Sequence, residues 1–195
     1  MYLFCVQVNH TRTYMKLLFA SDVHGCLPAL QKIITAFEKH QADKLIFLGD
    51  LLYHGPRNPL PEGYNPKEVA ALLNSYKTKL LTVRGNCDAE VDQMMLEFPC
   101  LADFTQLYVD GHVFYVTHGH LFNSDKLPPL NDNDIFIHGH FHVPMLKKEG
   151  NIYIANPNSI SLPKQGEASY IIYENHTLTM YRLSDDTIID TLNLE

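Results

Sequence analysis

Five short polar segments, each following an apolar run, constrain the fold of this chain more than any other feature of its sequence. The apolar runs, residues 17–20, 45–48, 80–83, 113–116 and 135–137, have the length and composition of buried strands. The polar segments are Asp22-Val23-His24, Gly49-Asp50, Gly85-Asn86-Cys87-Asp88, Thr117-His118-Gly119-His120 and Gly139-His140-Phe141-His142. Because ligands of α/β sheets bind beyond the carboxyl ends of the strands, we expect these segments to converge on one sheet edge.

The side chains in these segments indicate a site for two metal ions. Carboxylates, imidazoles and an amide oxygen suit Mn, Fe, Zn, Co or Mg better than thiophilic ions, and Mn is the ion we expect. In two-metal sites the ions lie about 3.5–4 Å apart, which requires a short anionic group that touches both. Asp50 is the predicted bridge, and a solvent hydroxide would bridge the ions as well.

The order of the segments closely resembles the calcineurin-like metallophosphoesterase superfamily, whose pattern is D-x-H, G-D, G-N-[HC]-[ED], H and G-H-x-H. Residues 16–162 contain the whole pattern. The resemblance is strongest for the small bacterial phosphodiesterases, which share the Gly-Asn-Cys-Asp of residues 85–88 and the His-Gly-Pro-Arg-Asn of residues 54–58. It implies that one metal ion binds Asp22, His24, Asp50 and His142, and that the other binds Asp50, Asn86, His118 and His140.

One position departs from the pattern of the larger phosphatases. Those relatives have a histidine after the asparagine, whereas this chain has Cys87, a poor proton donor to an alkoxide leaving group. His54 or His120 must therefore take that role, or protonation of the leaving group is weak. We favour His54, because its loop also contains Arg57, whose guanidinium can hold a phosphate oxygen.

The resemblance implies metal-dependent hydrolysis of a small phosphodiester by the bridging hydroxide. Phosphomonoesterase activity is the alternative, because nothing in the residues excludes it. A non-catalytic scaffold is the weaker alternative. The same superfamily includes a retromer subunit that has the fold but has lost ligand side chains, whereas no ligand position is missing here.

Composition narrows the class of protein and its partners. With 195 residues, 46% of them hydrophobic, the chain can form one substantial core, and we predict a single domain over residues 15–195 after an N-terminal extension, residues 1–14, of undecided status. A net charge of −7 disfavours a long nucleic acid as partner. No apolar run is long enough to span a membrane, and the four cysteines lack a C-x-x-C pair, so we expect a reduced cytoplasmic protein. A homo-oligomer is compatible with the sequence.

The order of elements predicts the architecture. Helices are expected to begin at Pro28 and Pro66, and Asp88 is expected to cap a third. After residue 100 short β-rich runs with turn signals follow. This order favours an α/β fold with two mixed sheets face to face and helices outside, which is the four-layer αββα sandwich of the superfamily.

Three residues near the segments have other predicted roles. His138 lies within an apolar run and is expected to be packed rather than catalytic. Arg84 is expected either to bind phosphate or to pair with a segment carboxylate. Asn158 stands where relatives have glycine, so we predict a positive φ there, because asparagine is the best non-glycine residue for that conformation.

Overall fold

The computed structural model describes residues 14–195, whose eleven strands and three helices form two mixed β-sheets. In chain order the elements are β1 (Leu17–Ala20), α1 (Leu27–His40), β2 (Lys44–Phe47), α2 (Pro66–Ser75), β3 (Leu80–Thr82), α3 (Glu90–Met95), β4 (Phe104–Val109), β5 (His112–Thr117), β6 (Ile135–Ile137), β7 (Met145–Glu149), β8 (Ile152–Asn156), β9 (Ser169–Glu174), β10 (Thr177–Arg182) and β11 (Ile188–Asn193). Apart from Tyr14, the predicted extension of residues 1–14 lies outside the described residues.

The first sheet has the strand order β11-β10-β9-β1-β2-β3. Strands β1, β2 and β3 are parallel, which the intervening helices α1 and α2 make possible, since parallel neighbours need a crossover connection. Strand β9 runs antiparallel to β1, and the hairpins β9-β10 and β10-β11 complete the sheet. The carboxyl ends of β1, β2 and β3 therefore lie at one edge.

The second sheet has the order β4-β5-β6-β8-β7. Its central strands β5, β6 and β8 are parallel, and the two edge strands are antiparallel to their neighbours. The sheets pack face to face, with the rings of Phe19 in β1 and Phe114 in β5 stacked 5.7 Å apart. The predicted pair of mixed sheets is thus confirmed.

Alternation along β1 explains the two main cores. Leu17 and Phe19 point between the sheets, whereas Leu18 and Ala20 face the helical side. Helix α1 contributes the apolar stripe predicted from its sequence, and all four of its members are buried: Leu30, Ile33, Ile34 and Phe37. Strand β1 is therefore covered on both faces.

The outer face of the second sheet is covered by a loop. Tyr115, Phe136 and Ile154 are buried there against Phe122 and Leu130, which belong to the segment between β5 and β6. Within residues 96–195 the structure has no helix, so all three described helices precede β4. The fold class is confirmed, with irregular chain rather than a helix as its outermost layer on this side.

The expectation that Asp88 caps helix α3 is wrong. The residue before α3 is Ala89, and Asp92 accepts its backbone N–H at 2.7 Å. Asp88 is buried and has other partners, described below. Among the described residues, the longest helix has 14 residues, and none has both the length and the apolar character needed to cross a membrane.

Candidate metal centre

The five polar segments meet at the carboxyl ends of strands from both sheets. The segments with Asp22, Asp50 and Asn86 follow β1, β2 and β3 of the first sheet, and those with His118 and His140 follow β5 and β6 of the second. We expected convergence on one edge of a single sheet, and the structure corrects this. Because the sheets pack face to face, the ends of their parallel strands form one cleft between them.

The loops that carry these side chains have an unusual backbone. Five candidate ligands have positive φ, namely Asp22 (58°), His24 (49°), Asp50 (56°), His140 (67°) and His142 (56°). This conformation is uncommon for residues other than glycine, and it costs energy that the surrounding structure must offset. Such residues cluster at functional sites, where the backbone is bent to aim side chains inward.

Two glycines allow the loops to approach each other closely. A Cβ atom on Gly85 would lie 2.0 Å from Oδ1 of Asp50, and one on Gly139 would lie 1.9 Å from Oγ of Ser21. Both distances are far inside van der Waals contact, so any side chain at either position would push the loops apart. The glycines of the Gly-Asn and Gly-His segments are therefore required by the geometry of the centre.

Asp22, His24 and His142 form one group of potential ligands. Their ligand atoms all lie within 4.8 Å of one another, and all three residues are buried. Nε2 of His142 is 3.1 Å from Oδ1 of Asp22, and Nε2 of His24 is 3.5 Å from the same oxygen. The two Nε2 atoms are 3.3 Å apart. These three ligand atoms are therefore close enough together to coordinate one metal ion.

Asp50, Asn86 and His118 form the second group. Nε2 of His118 lies 3.1 Å from Oδ1 of Asn86 and 3.4 Å from Oδ2 of Asp50. The ring of His140 lies edge-on to that of His118, with 5.0 Å between centroids. His118 is buried, His140 is half-buried and Asn86 is exposed, so this side of the centre opens to solvent.

Asp50 lies between the two groups. Its Oδ2 is 3.8 Å from Nε2 of His24 on one side and 3.4 Å from Nε2 of His118 on the other. Its other oxygen, Oδ1, accepts the backbone N–H of Cys87 at 2.7 Å, which fixes the orientation of the carboxylate. A carboxylate in this position could contact an ion in either group.

Three of the histidines have the tautomer that metal ligation needs. Nδ1 of His24, His118 and His142 lies 2.9, 2.6 and 2.6 Å from the backbone carbonyl oxygens of Tyr53, Leu48 and Leu162. Each Nδ1–H donates to its carbonyl, which leaves Nε2 directed at the centre. Protein metal sites hold histidine ligands in this way. The residues thus fit a pair of divalent cations of the hard to borderline class.

The electrostatics of the centre favour positive charge between the carboxylates. Burial raises the pKa of Asp22, but hydrogen bonds from His142 and His24 outweigh it, and the net pKa is well below the usual value. The pKa of Asp50 is lowered in the same way by His118. Burial lowers the pKa of His118, but the hydrogen bond to Asp50 and the charges of Asp22 and Asp50 raise it to about 9. Without metal, a proton supplies the positive charge.

Several residues that sequence reasoning missed hold the ligands in place. The Asp88 carboxylate accepts the backbone N–H groups of Asp50, Leu51 and Gly85 at 2.8, 2.9 and 2.7 Å, so it joins two of the five loops. Burial and, less strongly, the charge of Asp50 raise the pKa of Asp88 to about 6. The position of Asp88 in the Gly-Asn-Cys-Asp segment could have indicated a role at the centre, but the helix that follows suggested a helix cap instead.

Residues at the end of β8 and in the segment after it form hydrogen bonds with the loops that carry the ligands. The hydroxyls of Ser159 and Ser161 both donate to the backbone carbonyl of Asp22 at 2.9 Å. The amide of Asn156 donates to the carbonyl of Gly139 at 2.9 Å. Asn158 has the predicted positive φ, 71°, and its side-chain amide donates to two backbone carbonyls of residues 165 and 167.

The loop with His54 and Arg57 contacts the centre through Tyr53 and Gly55. Tyr53 provides the carbonyl that holds His24, and a Cβ on Gly55 would lie 2.9 Å from Sγ of Cys87. The His54 ring packs edge-on to the rings of Tyr53 and Tyr64, and its buried Nδ1 has no hydrogen-bond partner among the described residues. Arg57 is exposed.

The remaining candidates have distinct surroundings. Nδ1 of His120 is also buried and has no hydrogen-bond partner in the described part of the chain, and burial lowers the pKa of its ring. His138 is buried among aromatic rings, as expected for a packed residue, and burial lowers its pKa to about 4. Arg84 donates from Nε to the backbone carbonyl of Asp88 at 3.2 Å, and within residues 14–195 it forms no ion pair with a segment carboxylate. Cys26 packs in the core, and Cys87 lies beside Asp50.

The chain is similar in sequence and in structure to known proteins. A family model described as the calcineurin-like phosphoesterase superfamily domain matches residues 15–177. The chain is 48% identical over 176 residues to phosphodiesterase YfcE of Escherichia coli, which covers 90% of this chain and 96% of the relative. The solved structure of that phosphoesterase superposes with a TM-score of 0.91 at 46% identity, covering 93% of this chain and all of the other. Vacuolar Protein Sorting 29 of Cryptosporidium parvum has a TM-score of 0.62 at 12% identity, covering 92% and 98%, and shares the fold.

Proposed function

The chain belongs to the calcineurin-like phosphoesterase superfamily, as its motifs predicted, and on that premise we propose that it is a metal-dependent phosphodiesterase acting on a small phosphodiester. Similarity to an Escherichia coli protein named as a phosphodiesterase supports the diester substrate. The seven proposed metal ligands are Asp22, His24, Asp50, Asn86, His118, His140 and His142.

The observation that carries the proposal is the position of Asp50 between two groups of donors. Its carboxylate lies within 4 Å of Nε2 of both His24 and His118, while Asp22 and His142 complete the first group. A non-catalytic scaffold has no need of this arrangement, which strains the backbone at five ligands and orients three imidazoles through hydrogen bonds.

When bound, two divalent cations would lower the pKa of coordinated water and polarise the phosphoryl oxygens. Side chains of the protein would supply the other two requirements, a proton for the leaving group and a contact for the phosphate. His54, from the loop that contacts the centre through Tyr53, is proposed to donate a proton to the departing alkoxide oxygen. Arg57 is exposed on the same loop and is proposed to hold a non-bridging phosphate oxygen as the substrate enters.

The net charge and the cysteines support two further parts of the proposal, the size of the substrate and the cellular compartment. A net charge of −7 suits a small substrate held by cations better than a long nucleic acid. Cys26, Cys87 and Cys100 are free thiols, and Cys5 lies outside the described residues. Free thiols are typical of proteins in a reducing interior, and this supports our proposal of a cytoplasmic location.

A metal-reconstituted activity screen tests this function. Protein stripped with chelator should be inactive, and Mn should restore activity better than Mg, because imidazole ligands suit the softer ion. The substrates are aryl diesters, cyclic nucleotides and monoesters. Turnover of diesters above monoesters supports the proposal, whereas preference for monoesters would identify a phosphomonoesterase. No turnover with any metal would favour the scaffold.

A further inference from the structure

A cavity of about 400 Å³ lies beside the candidate metal centre. Its walls include Leu52, Tyr53, Tyr64, Cys87, Val91 and Met95, so they come from the loop with His54, the Gly-Asn-Cys-Asp segment and helix α3. The volume falls within the range of ordinary small-molecule pockets.

Cys87 connects this cavity to the centre. Its Sγ lies within 4.8 Å of ligand atoms of both His24 and Asp50, and the same residue lines the cavity. A phosphate group held by the proposed ligands would therefore have the cavity next to it. One of the two ester groups of a diester can then enter, while a free phosphate would leave the cavity empty.

The cavity is suited to an uncharged, apolar group. Two tyrosine rings form part of its wall, and aromatic side chains pack favourably against rings. The carboxylate of Asp92 is buried and accepts the N–H of Ala89 at 2.7 Å, so its charge is engaged. Lys67 is exposed at the rim.

Helix α3 exposes an apolar face that its own packing does not use. Val91 and Met95 are one helical turn apart and are 63% and 48% exposed, although both line the cavity. Exposed apolar side chains that line a concave site are typical of ligand pockets.

We propose that this cavity, bounded by Tyr53, Tyr64, Cys87, Val91 and Met95, binds an apolar ester group about the size of an aromatic ring and so selects the substrate. The inference rests on the proposed function, since it needs a phosphate bound at the adjacent centre. The expected substrates are phosphodiesters with at least one aromatic or comparably bulky apolar ester group.

The test compares two phosphonates that differ only in the group attached to phosphorus. Phenylphosphonate and methylphosphonate present the same anionic oxygens to the metal centre, so the ratio of their dissociation constants isolates the cavity. Both are titrated calorimetrically into Mn-loaded protein, which gives a readout independent of turnover. Burial of the ring should make phenylphosphonate bind about tenfold more tightly or better.

A double variant, Val91→Asn with Met95→Gln, makes the wall polar without adding charge. Both positions are exposed, and neither residue is a proposed ligand. The tenfold ratio should fall below about threefold, with methylphosphonate affinity unchanged. Met94→Gln is the matched control, because Met94 is on the same helix, is 85% exposed and does not line the cavity.

The outcomes are separable. Equal affinity of the two phosphonates for wild-type protein, or no binding of either, would overturn the cavity assignment. A tenfold ratio that survives in the double variant would place the apolar site elsewhere and also overturn it. Failure of the proposed function would instead appear as an absence of diester hydrolysis in the activity screen, which these binding measurements do not use.

Discussion

The carboxylate of Asp88 accepts a hydrogen bond from the backbone N–H of Asp50, with 2.8 Å between nitrogen and oxygen. Through this bond and those from Leu51 and Gly85, a buried residue that is not a proposed ligand fixes the residue proposed to bridge two metal ions. The position of the bridge thus depends on the loop after β3 as well as on the loop after β2.

Asp88→Asn tests this dependence. Asparagine has one acceptor oxygen, and its NH₂ group would face a backbone donor, so the free energy of unfolding should fall by at least about 2 kcal/mol. Urea unfolding of metal-free protein at pH 7.5 measures it. Asp132→Asn, on the exposed surface, is the control and should change stability little. Equal stability of the two variants would show that the hydrogen bonds of Asp88 do not stabilise the two loops that it connects.

Asp50→Asn should be the most damaging ligand substitution, because it removes the negative charge shared by both ions. Loss of an outer-shell partner alone typically costs about 10–100-fold, so we expect kcat/KM to fall by more than about 100-fold. Elemental analysis should show that bound Mn falls below two per chain, with Asp132→Asn again as the control. Near-normal turnover with both ions retained would mean that Asp50 is not the bridge.

Metal binding should strengthen as pH rises. In the metal-free protein the pKa of His118 is raised from its usual 6.5 to about 9. Between these two pH values the ring therefore keeps the second proton, and with it the positive charge, that an ordinary histidine would lose. A cation must displace that proton, and the logarithm of the Mn dissociation constant should fall by about one per pH unit from pH 6.5 to 8. Calorimetry in buffers of different ionisation enthalpy counts the released protons. A pH-independent affinity would contradict the proposed role of His118, and His118→Gln should flatten the slope.

His54→Ala should separate proton donation from binding. Diesters with alkoxide leaving groups should slow by about 10²–10⁴-fold, whereas aryl diesters should change little, because phenolate departs without protonation. Steady-state kinetics on one substrate of each kind give the two values. Arg57→Ala is the comparison, and we expect it to affect both substrates alike. If His54→Ala also slowed both equally, His54 would be a positioning residue.

The ligand segments were predictable because a strand followed by a polar tip is a local pattern. Strands β1 and β6 have the predicted bounds, and helices α1 and α2 begin within one residue of Pro28 and Pro66. The positive φ of Asn158 was also predictable, since few other residues adopt it.

Long-range partners were not predictable from the sequence. Asp88 precedes a helix, which locally favours a cap, but it accepts instead two N–H groups from the loop after β2 and one from Gly85 in its own loop. Ser159 and Ser161 hold Asp22 across more than 130 residues of sequence, and serine pairs have no distinctive local pattern. The apolar cavity beside Cys87 likewise arises only when three separate segments meet.

Anomalous diffraction from crystals of Mn-loaded protein tests the central claim most directly. We predict two anomalous peaks about 3.5–4 Å apart, with the carboxylate of Asp50 in contact with both, His24 and His142 beside one, and His118 beside the other. A single peak, or two peaks of which Asp50 touches only one, would contradict the proposal that this protein acts through a pair of ions bridged by that residue.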